Sequence, residues 1–310
     1  MVFYSSVPEN NALIAQAKQN FWNGIVVNRD VVEDYVEEAD CILIGPGMTR
    51  TEDTKQITNH LLKKYPDKKW VVDAGALQMV DPNLLNSNCI ITPHKKEFEE
   101  FTKKLSKIIL EKWYKKVKKS TKLYVSPTEK ADFHYDYERV TLYSSAYLSK
   151  DSSKENFLVR GWLKNFEKFL SFHNSTDPHE QTTFDDICWD FYTISLAANN
   201  ATILLKGKTD LIISPGNQCI IFYGDKKFKK DVCSIEGGNP GMTKGGTGDV
   251  LAGLLAALYC THDAKTAAIV ASYVNKAAGD VLYEKVGPYF NASDLVKTIP
   301  KIVWETKLNN

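Results

Sequence analysis

Asp249 stands where a glycine-dense run meets an apolar segment, in NPGMTKGGTGDVLAGLLAAL (239–258). Six glycines fall within residues 237–248. Glycine lets backbone amides turn toward a ligand with no side chain in the way. The apolar run that follows reads as a helix beginning at that loop. Its first amides are unpaired and its dipole is positive at this end, a combination that favours a bound anion such as phosphate. A carboxylate held beside an anion site is placed to take a proton from a hydroxyl as that oxygen attacks a phosphoryl group. Asp249 is therefore read as the base of a phosphoryl-transfer step, against the plainer reading of an Asp cap on a core helix.

Four further stretches carry candidate chemistry. KGKTD (206–210) contains Gly-Lys-Thr, but the first glycine of a P-loop would fall at Thr202, so it is not one. A lysine at a strand end can hold a polyphosphate as a point charge; an ordinary exposed turn is the equal alternative from the residues alone. GPGMTR (45–50) fails the dinucleotide fingerprint because Arg50 stands at the third glycine, yet it can be a tight turn opening a pocket. DAGAL places Asp73 just past a strand, where it could hold a ligand hydroxyl or a metal-bound water. TPHKKEF places His94 just past another, for a structural hydrogen bond or a ligand contact. The other histidines (60, 134, 173, 179 and 262) lack the spacing of a metal site.

These residues need a scaffold, and the chain alternates short apolar runs with helical patterns. CILIGPG (41–47), WVVDAGAL (70–77) and CIITPH (89–94) read as strands, the second with a following loop. TEDTKQITNHLLKKY (51–65) has helical spacing with Ile57, Leu61 and Leu62 on one side. ATILLKGKTDLIISPG (201–216) holds two strand-like runs broken by KGKTD, NQCIIFYG (217–224) is another strand, and the segments after Asp249 and Asp263 are helical. Strands recurring with helices between them imply an α/β fold with a mostly parallel sheet covered on both faces. Ligands in such sheets bind at the carboxyl ends of the strands, where GPG, DAGAL, TPH and KGKTD fall.

Residues 104–185 depart from this pattern. A lysine-rich run, KKLSKIILEKWYKKVKKSTK (103–122), gives way to a tyrosine-rich and then a polar stretch. The interval reads as an insertion of mixed or helical structure within one domain spanning 1–310. Its lysines are read as the solvated face of an amphipathic helix, with Leu105, Ile108, Ile109, Trp113 and Val117 inward, in preference to an anion-binding or partner surface.

The whole chain, 310 residues with 43% hydrophobic and 25% charged, suits one large domain with an insertion. A formal net charge of +1 points to neither nucleic acid nor an anionic membrane as partner. No apolar run approaches 18 residues, and MVFYSSVPEN does not read as a signal peptide. Six scattered cysteines without a CxxC pair are expected to be reduced, mostly buried thiols of a cytoplasmic protein.

IGPGM, VVDAGAL, ITPHKKEF, LLKGKTD and GGNPGMTKGGTGDVLAG occur here in the order found in one family. Over about residues 1–103 and 186–300 the chain resembles the ATP- or ADP-dependent NAD(P)H-hydrate dehydratases of the ribokinase-like superfamily. The resemblance implies a three-layer ribokinase-like fold and repair of hydrated NADH and NADPH. It further implies that a nucleoside di- or triphosphate phosphorylates the ring hydroxyl, that phosphate then leaves, and that magnesium accompanies the nucleotide, as it usually does in the family. It implies Asp249 as the base, Gly246, Thr247 and Gly248 as the anion hole, and Lys206, Gly207, Lys208, Thr209 and Asp210 with Gly248 as nucleotide contacts. Gly47, His94, Asp73 and Asn239 are implied as contacts to the hydrated dinucleotide. A homotetramer is a further implication. Members begin with an additional strand and a glycine-rich segment, so this fold is expected to lack the family's first strand and helix. Two alternatives stay open: a ribokinase-like small-molecule kinase acting on an alcohol (sugar, thiazole or pyrimidine), and a non-catalytic nucleotide-binding protein.

Overall fold

The structure, a computed structural model, describes residues 1–17, 23–105, 108, 199–214, 219–223, 226–230 and 232–306. Nearly all of the expected insertion, and with it most of the amphipathic lysine helix, lies outside these residues.

Strand β1 (Val2–Tyr4) leads into helix α1 (Pro8–Ala17) and then β2 (Gly24–Val26), α2 (Val32–Glu38) and β3 (Cys41–Ile44). Helix α3 (Glu52–Lys64), β4 (Lys69–Val72), α4 (Ala74–Met79) and β5 (Cys89–Ile91) follow, then helix α5 at 95–105. Beyond come β6 (Thr202–Leu205), β7 (Asp210–Ile213), β8 (Cys219–Tyr223), β9 (Lys226–Lys230) and β10 (Val232–Ile235). Helices α6 (Thr247–Thr261), α7 (Ala264–Val286) and α8 (Ala292–Glu305) complete the described chain.

Among the described residues the main sheet has six strands in the order β10-β7-β6-β5-β4-β3. Strands β3 to β6 are parallel, β7 runs antiparallel to β6, and β10 antiparallel to β7. Alternate side chains feed opposite faces. Trp70, Val72, Ile91, Ile203, Leu205, Leu211 and Ile213 pack with Leu61 and Leu62 of α3 and with Phe98, Phe101 and Leu105 of α5. Val71, Ile90, Leu204 and Ile212 pack instead against Leu251, Leu255 and Tyr259 of α6 and Ala267, Ala268 and Ala271 of α7. Strands buried on both faces are continuously apolar, as TILL and DLII are. The result is three layers, helix on sheet on helix.

The strand readings at 41–44, 70–72, 89–91, 202–205, 210–213 and 219–223 agree with the observed elements. Three features differ. The segment after Asp73 is a helix rather than a loop, with Asp73 at its N-cap. β8 pairs with β9 in a hairpin of its own, and β1 pairs with β2 in a separate parallel ribbon. Cys41, Cys89 and Cys260 are free thiols, whereas Cys233 is disulfide-bonded, against the expectation of six reduced cysteines.

Parallel order puts the ends of β3, β4, β5 and β6 on one edge. β7 starts on that same edge, because Leu205 pairs with Leu211, and β10 finishes there, because Ile235 pairs with Asp210. Gly45, Asp73, Thr92, Lys206 and the segment leaving β10 therefore converge.

Candidate active site

The mouth of α6 lies at this edge. Gly246 is its N-cap, with φ +89° and ψ −19°, in the left-handed region where glycine carries no Cβ penalty. No side chain caps the helix. The hydroxyl of Thr247 donates instead to the carbonyls of Met242 (2.7 Å) and Lys244 (2.9 Å), folding the TKGG turn under the helix. The Thr247 amide reaches the Lys244 carbonyl only at 3.4 Å, and the amides of Gly246, Gly248 and Asp249 make no hydrogen bond to another described residue. These are the donors a helix N-terminus offers an anion. Asp249, the third helical residue, is exposed beside them.

Lys206 supplies a cation to the same place. It follows β6, is bridged to His94 alongside, and gives its amide to the Pro93 carbonyl (2.8 Å). Its ammonium lies 3.7 Å from where a Cβ on Gly248 would stand. The side chain is 20% exposed and is held by Asp73, 2% exposed, whose Oδ1 lies 2.8 Å away and also accepts the Thr92 hydroxyl at 2.7 Å. Asp73 is thus engaged within the protein and reaches the mouth of α6 through Lys206.

The remaining KGKTD residues form a closed turn. Asp210 is buried: Oδ1 accepts the Gly207 amide (2.8 Å) and Oδ2 the Ser272 hydroxyl (2.7 Å). Its carboxylate shapes the turn. Gly207 and Lys208 are exposed at the tip and Thr209 is half-buried. Asn239 is similarly engaged, accepting the Gly241 amide (3.0 Å) and donating to Asp280 (2.9 Å).

On the other side of the edge, Gly45 and Gly47 have φ +122° and +73°. A Cβ on Gly45 would lie 1.8 Å from the Asp73 carbonyl, so the GPGM turn and the DAGAL segment pass in backbone contact; Gly47 is exposed and faces open space. His94 caps α5 in a reciprocal pair. Its Nδ1 accepts the Glu97 amide (3.2 Å), and Glu97 accepts the His94 amide (3.0 Å). That bond leaves Nε2 as the protonated nitrogen of the neutral ring, on a side chain 53% exposed and 3.5 Å from Glu97.

Reading the sequence alone missed Lys276, Asp280, Ser272, Thr92 and Glu97. The H-x-x-E spacing at 94–97 was an available capping signal. The four-residue spacing of Ser272, Lys276 and Asp280 puts three polar side chains on one face of an alanine-rich helix, but it does not show what they meet.

A family model described as NAD(P)H-hydrate dehydratase (Carb_kinase) matches residues 4–125 and 193–301. The bifunctional NAD(P)H-hydrate repair enzyme Nnr of Methanocaldococcus jannaschii is 27% identical over 276 residues, 88% of this chain and 35% of that protein. The ADP-dependent (S)-NAD(P)H-hydrate dehydratase of Cenarchaeum symbiosum is 37% identical over 103 residues, 33% of this chain and 31% of that one. The chain thus spans about a third of the length of these curated relatives. Among solved structures, a ribokinase-like superfamily protein of Enterococcus faecalis V583 aligns with a TM-score of 0.58 at 16% identity, covering 98% of this chain and 76% of that one. The ADP/ATP-dependent NAD(P)H-hydrate dehydratase of Bacillus subtilis, co-crystallised with ATP/Mg2+, aligns with a TM-score of 0.51 at 17% identity, covering 96% and 76%. Both likenesses are of fold. With the family model matched over well more than half of its residues, the chain belongs to the NAD(P)H-hydrate dehydratase family, and its likeness to the Enterococcus structure gives it a ribokinase-like fold.

Proposed function

We propose that the chain catalyses nucleotide-dependent dehydration of (S)-NAD(P)H hydrate to NAD(P)H. One observation carries this reading: the exposed Asp249 carboxylate, the amides of Gly246, Gly248 and Asp249, which bond to no other described residue, and the Lys206 ammonium share one helix mouth. A terminal phosphoryl group bound there would meet the amides of Gly246, Thr247 and Gly248 and the charge of Lys206. Asp249 takes the proton of the ring hydroxyl as its oxygen attacks phosphorus and the P–O bond to the nucleotide breaks. Phosphate then leaves with the C–O bonding pair, and loss of a proton from the adjacent ring carbon restores the double bond. Gly47 and His94, across the sheet edge, are assigned to the hydrated dinucleotide. Gly207, Lys208 and Thr209 are assigned to the nucleotide, with Asp210, Asp73 and Asn239 holding the loops that present them.

ATP and ADP are both candidate donors, since the Cenarchaeum relative is named ADP-dependent and the Bacillus protein ADP/ATP-dependent. Among the described residues no group of three or more His, Cys, Asp or Glu could hold a metal. A magnesium ion accompanying the nucleotide would neutralise phosphate charge.

The test is recovery of 340 nm absorbance from purified NADH hydrate with ATP or ADP. Recovery with at least one nucleotide, alongside release of inorganic phosphate, is expected. No recovery with either would overturn the proposal, and accumulation of a stable phosphorylated alcohol would identify a kinase instead.

A further inference from the structure

We infer that Lys276 is a positioning residue for the nucleotide, an internal monovalent cation that sets the spacing between the 206–210 turn and the loop leading into α6. The inference rests on the proposal that these two loops receive the nucleotide.

Its side chain is only 7% exposed, and its ammonium donates to three backbone carbonyls: Lys208 at 2.9 Å, Gly207 at 3.0 Å and Gly237 at 3.0 Å. A lysine ammonium has three N–H donors, so all are engaged. Asp210 Oδ1, 3.3 Å away, supplies the compensating charge. Two of the carbonyls belong to the turn between β6 and β7, and the third to the segment after β10. Carbonyls cannot bond one another. Converging on one point, they repel unless a donor or cation sits between them, and burying them unpaired is costly.

The neighbours of Lys276 on α7 extend the same function. One turn earlier, Ser272 donates to Oδ2 of Asp210 at 2.7 Å. One turn later, Asp280 accepts the Gly238 amide at 3.0 Å and the Asn239 side chain at 2.9 Å. Positions four apart share a helix face, so one stripe of α7 grips both loops, and the central member alone bonds to both. The ammonium has no hydrogen left for a ligand. Its effect on phosphate binding passes through the loops, whose free amides and Lys206 do the contacting.

The variants are Lys276→Ala, which leaves an ammonium-sized space, and Lys276→Met, which fills it without charge. In Lys276→Ala, hydrogen–deuterium exchange should accelerate about tenfold or more in both 206–210 and 236–241. The nucleotide KM should rise about tenfold or more while the hydrate KM stays within about twofold. Methylammonium chloride should reverse both effects where tetramethylammonium chloride does not. Lys276→Met should show the loss without the reversal, and it supplies the exchange readout should Lys276→Ala fail to fold. Wild-type exchange and nucleotide KM in Lys276→Ala, or a loss unmoved by methylammonium, would overturn the inference. If the wild-type chain repairs no hydrate, the proposed reaction fails by itself. Loop exchange and calorimetric nucleotide affinity then still decide the role of Lys276.

Discussion

The ammonium of Lys206 reaches Oδ1 of Asp73 at 2.8 Å across the intervening strand β5, whose own following residue, Thr92, donates to the same oxygen. Three neighbouring strand ends thereby meet on one buried carboxylate. Removing Asp73 leaves a cation that is mostly buried and unpaired, and removing Lys206 leaves a carboxylate with a single hydroxyl partner. Breaking a fully buried pair costs about 3–5 kcal/mol, and the partial exposure of Lys206 lowers the expectation to about 2–3 kcal/mol. Asp73→Asn and Lys206→Met should each lose about that much in urea unfolding. The double variant should lose clearly less than their sum, because the two residues touch. Additive losses would show that the pair is not coupled.

Asp249 has no hydrogen-bonded partner among the described residues and lies in the first turn of α6. Replacing it with asparagine keeps the size and removes the proton acceptor. Asp249→Asn should retain nucleotide affinity within a few fold and lose turnover by a factor on the order of 10² or more. Its unfolding midpoint should stay nearly unchanged, since an exposed first-turn carboxylate contributes only about 0.3–1 kcal/mol through the helix dipole. Near-normal turnover would remove Asp249 from the role of base.

How far the sequence disclosed these features depended on their range. Glycine clusters and apolar runs are local signals, so the α6 loop, the main strands and Asp249 were legible. DAGAL was not legible as a helix, because α4 is six residues long and opens with Ala74 at φ +44°. β1 and β2, three residues each, are too short to show alternation. Lys276 was invisible for another reason: its carbonyl partners lie 69, 68 and 39 residues away, and only the sheet order brings them together. The pairing of Asp73 with Lys206 spans 133 residues and was equally out of reach.

Two glycines of one turn should respond differently to alanine. At Gly45 the new Cβ would lie 1.8 Å from the Asp73 carbonyl oxygen, in a backbone conformation unfavourable to side chains. Backbone must move, and Gly45→Ala should cost more than about 3 kcal/mol or prevent folding. At Gly47 the φ is +73° but nothing lies within 4 Å, so Gly47→Ala should cost only about 1–2 kcal/mol of conformational strain. Urea midpoints of the two variants measure the difference. Equal losses would contradict the close passage of the two segments.

The buried Cys89 thiol and the half-buried Cys41 thiol give the fold an alkaline limit. Burial, aided by the nearby Cys260 thiol, pushes Cys41 up to about 12, and burial pushes Cys89 up to about 11, from an ordinary value of 9.0. For an acid, a raised folded-state value means that the folded protein keeps a proton the unfolded chain releases. Between pH 9 and about 11 the unfolded chain therefore binds fewer protons at these sites, and stability falls as pH rises. Below pH 9 both states hold the proton and the sites contribute no slope. Urea unfolding at pH 8, 9 and 10 should show a decline beginning near 9. Cys41→Ala and Cys89→Ala should each make that decline shallower, whatever their absolute stability. The same burial keeps the thiolate scarce, so iodoacetamide at pH 7.5 should label Cys41 and Cys89 in the native protein far more slowly than in urea. Equal labelling rates in the two conditions, or an unaltered alkaline slope in both variants, would mean that these thiols are not held neutral by the fold.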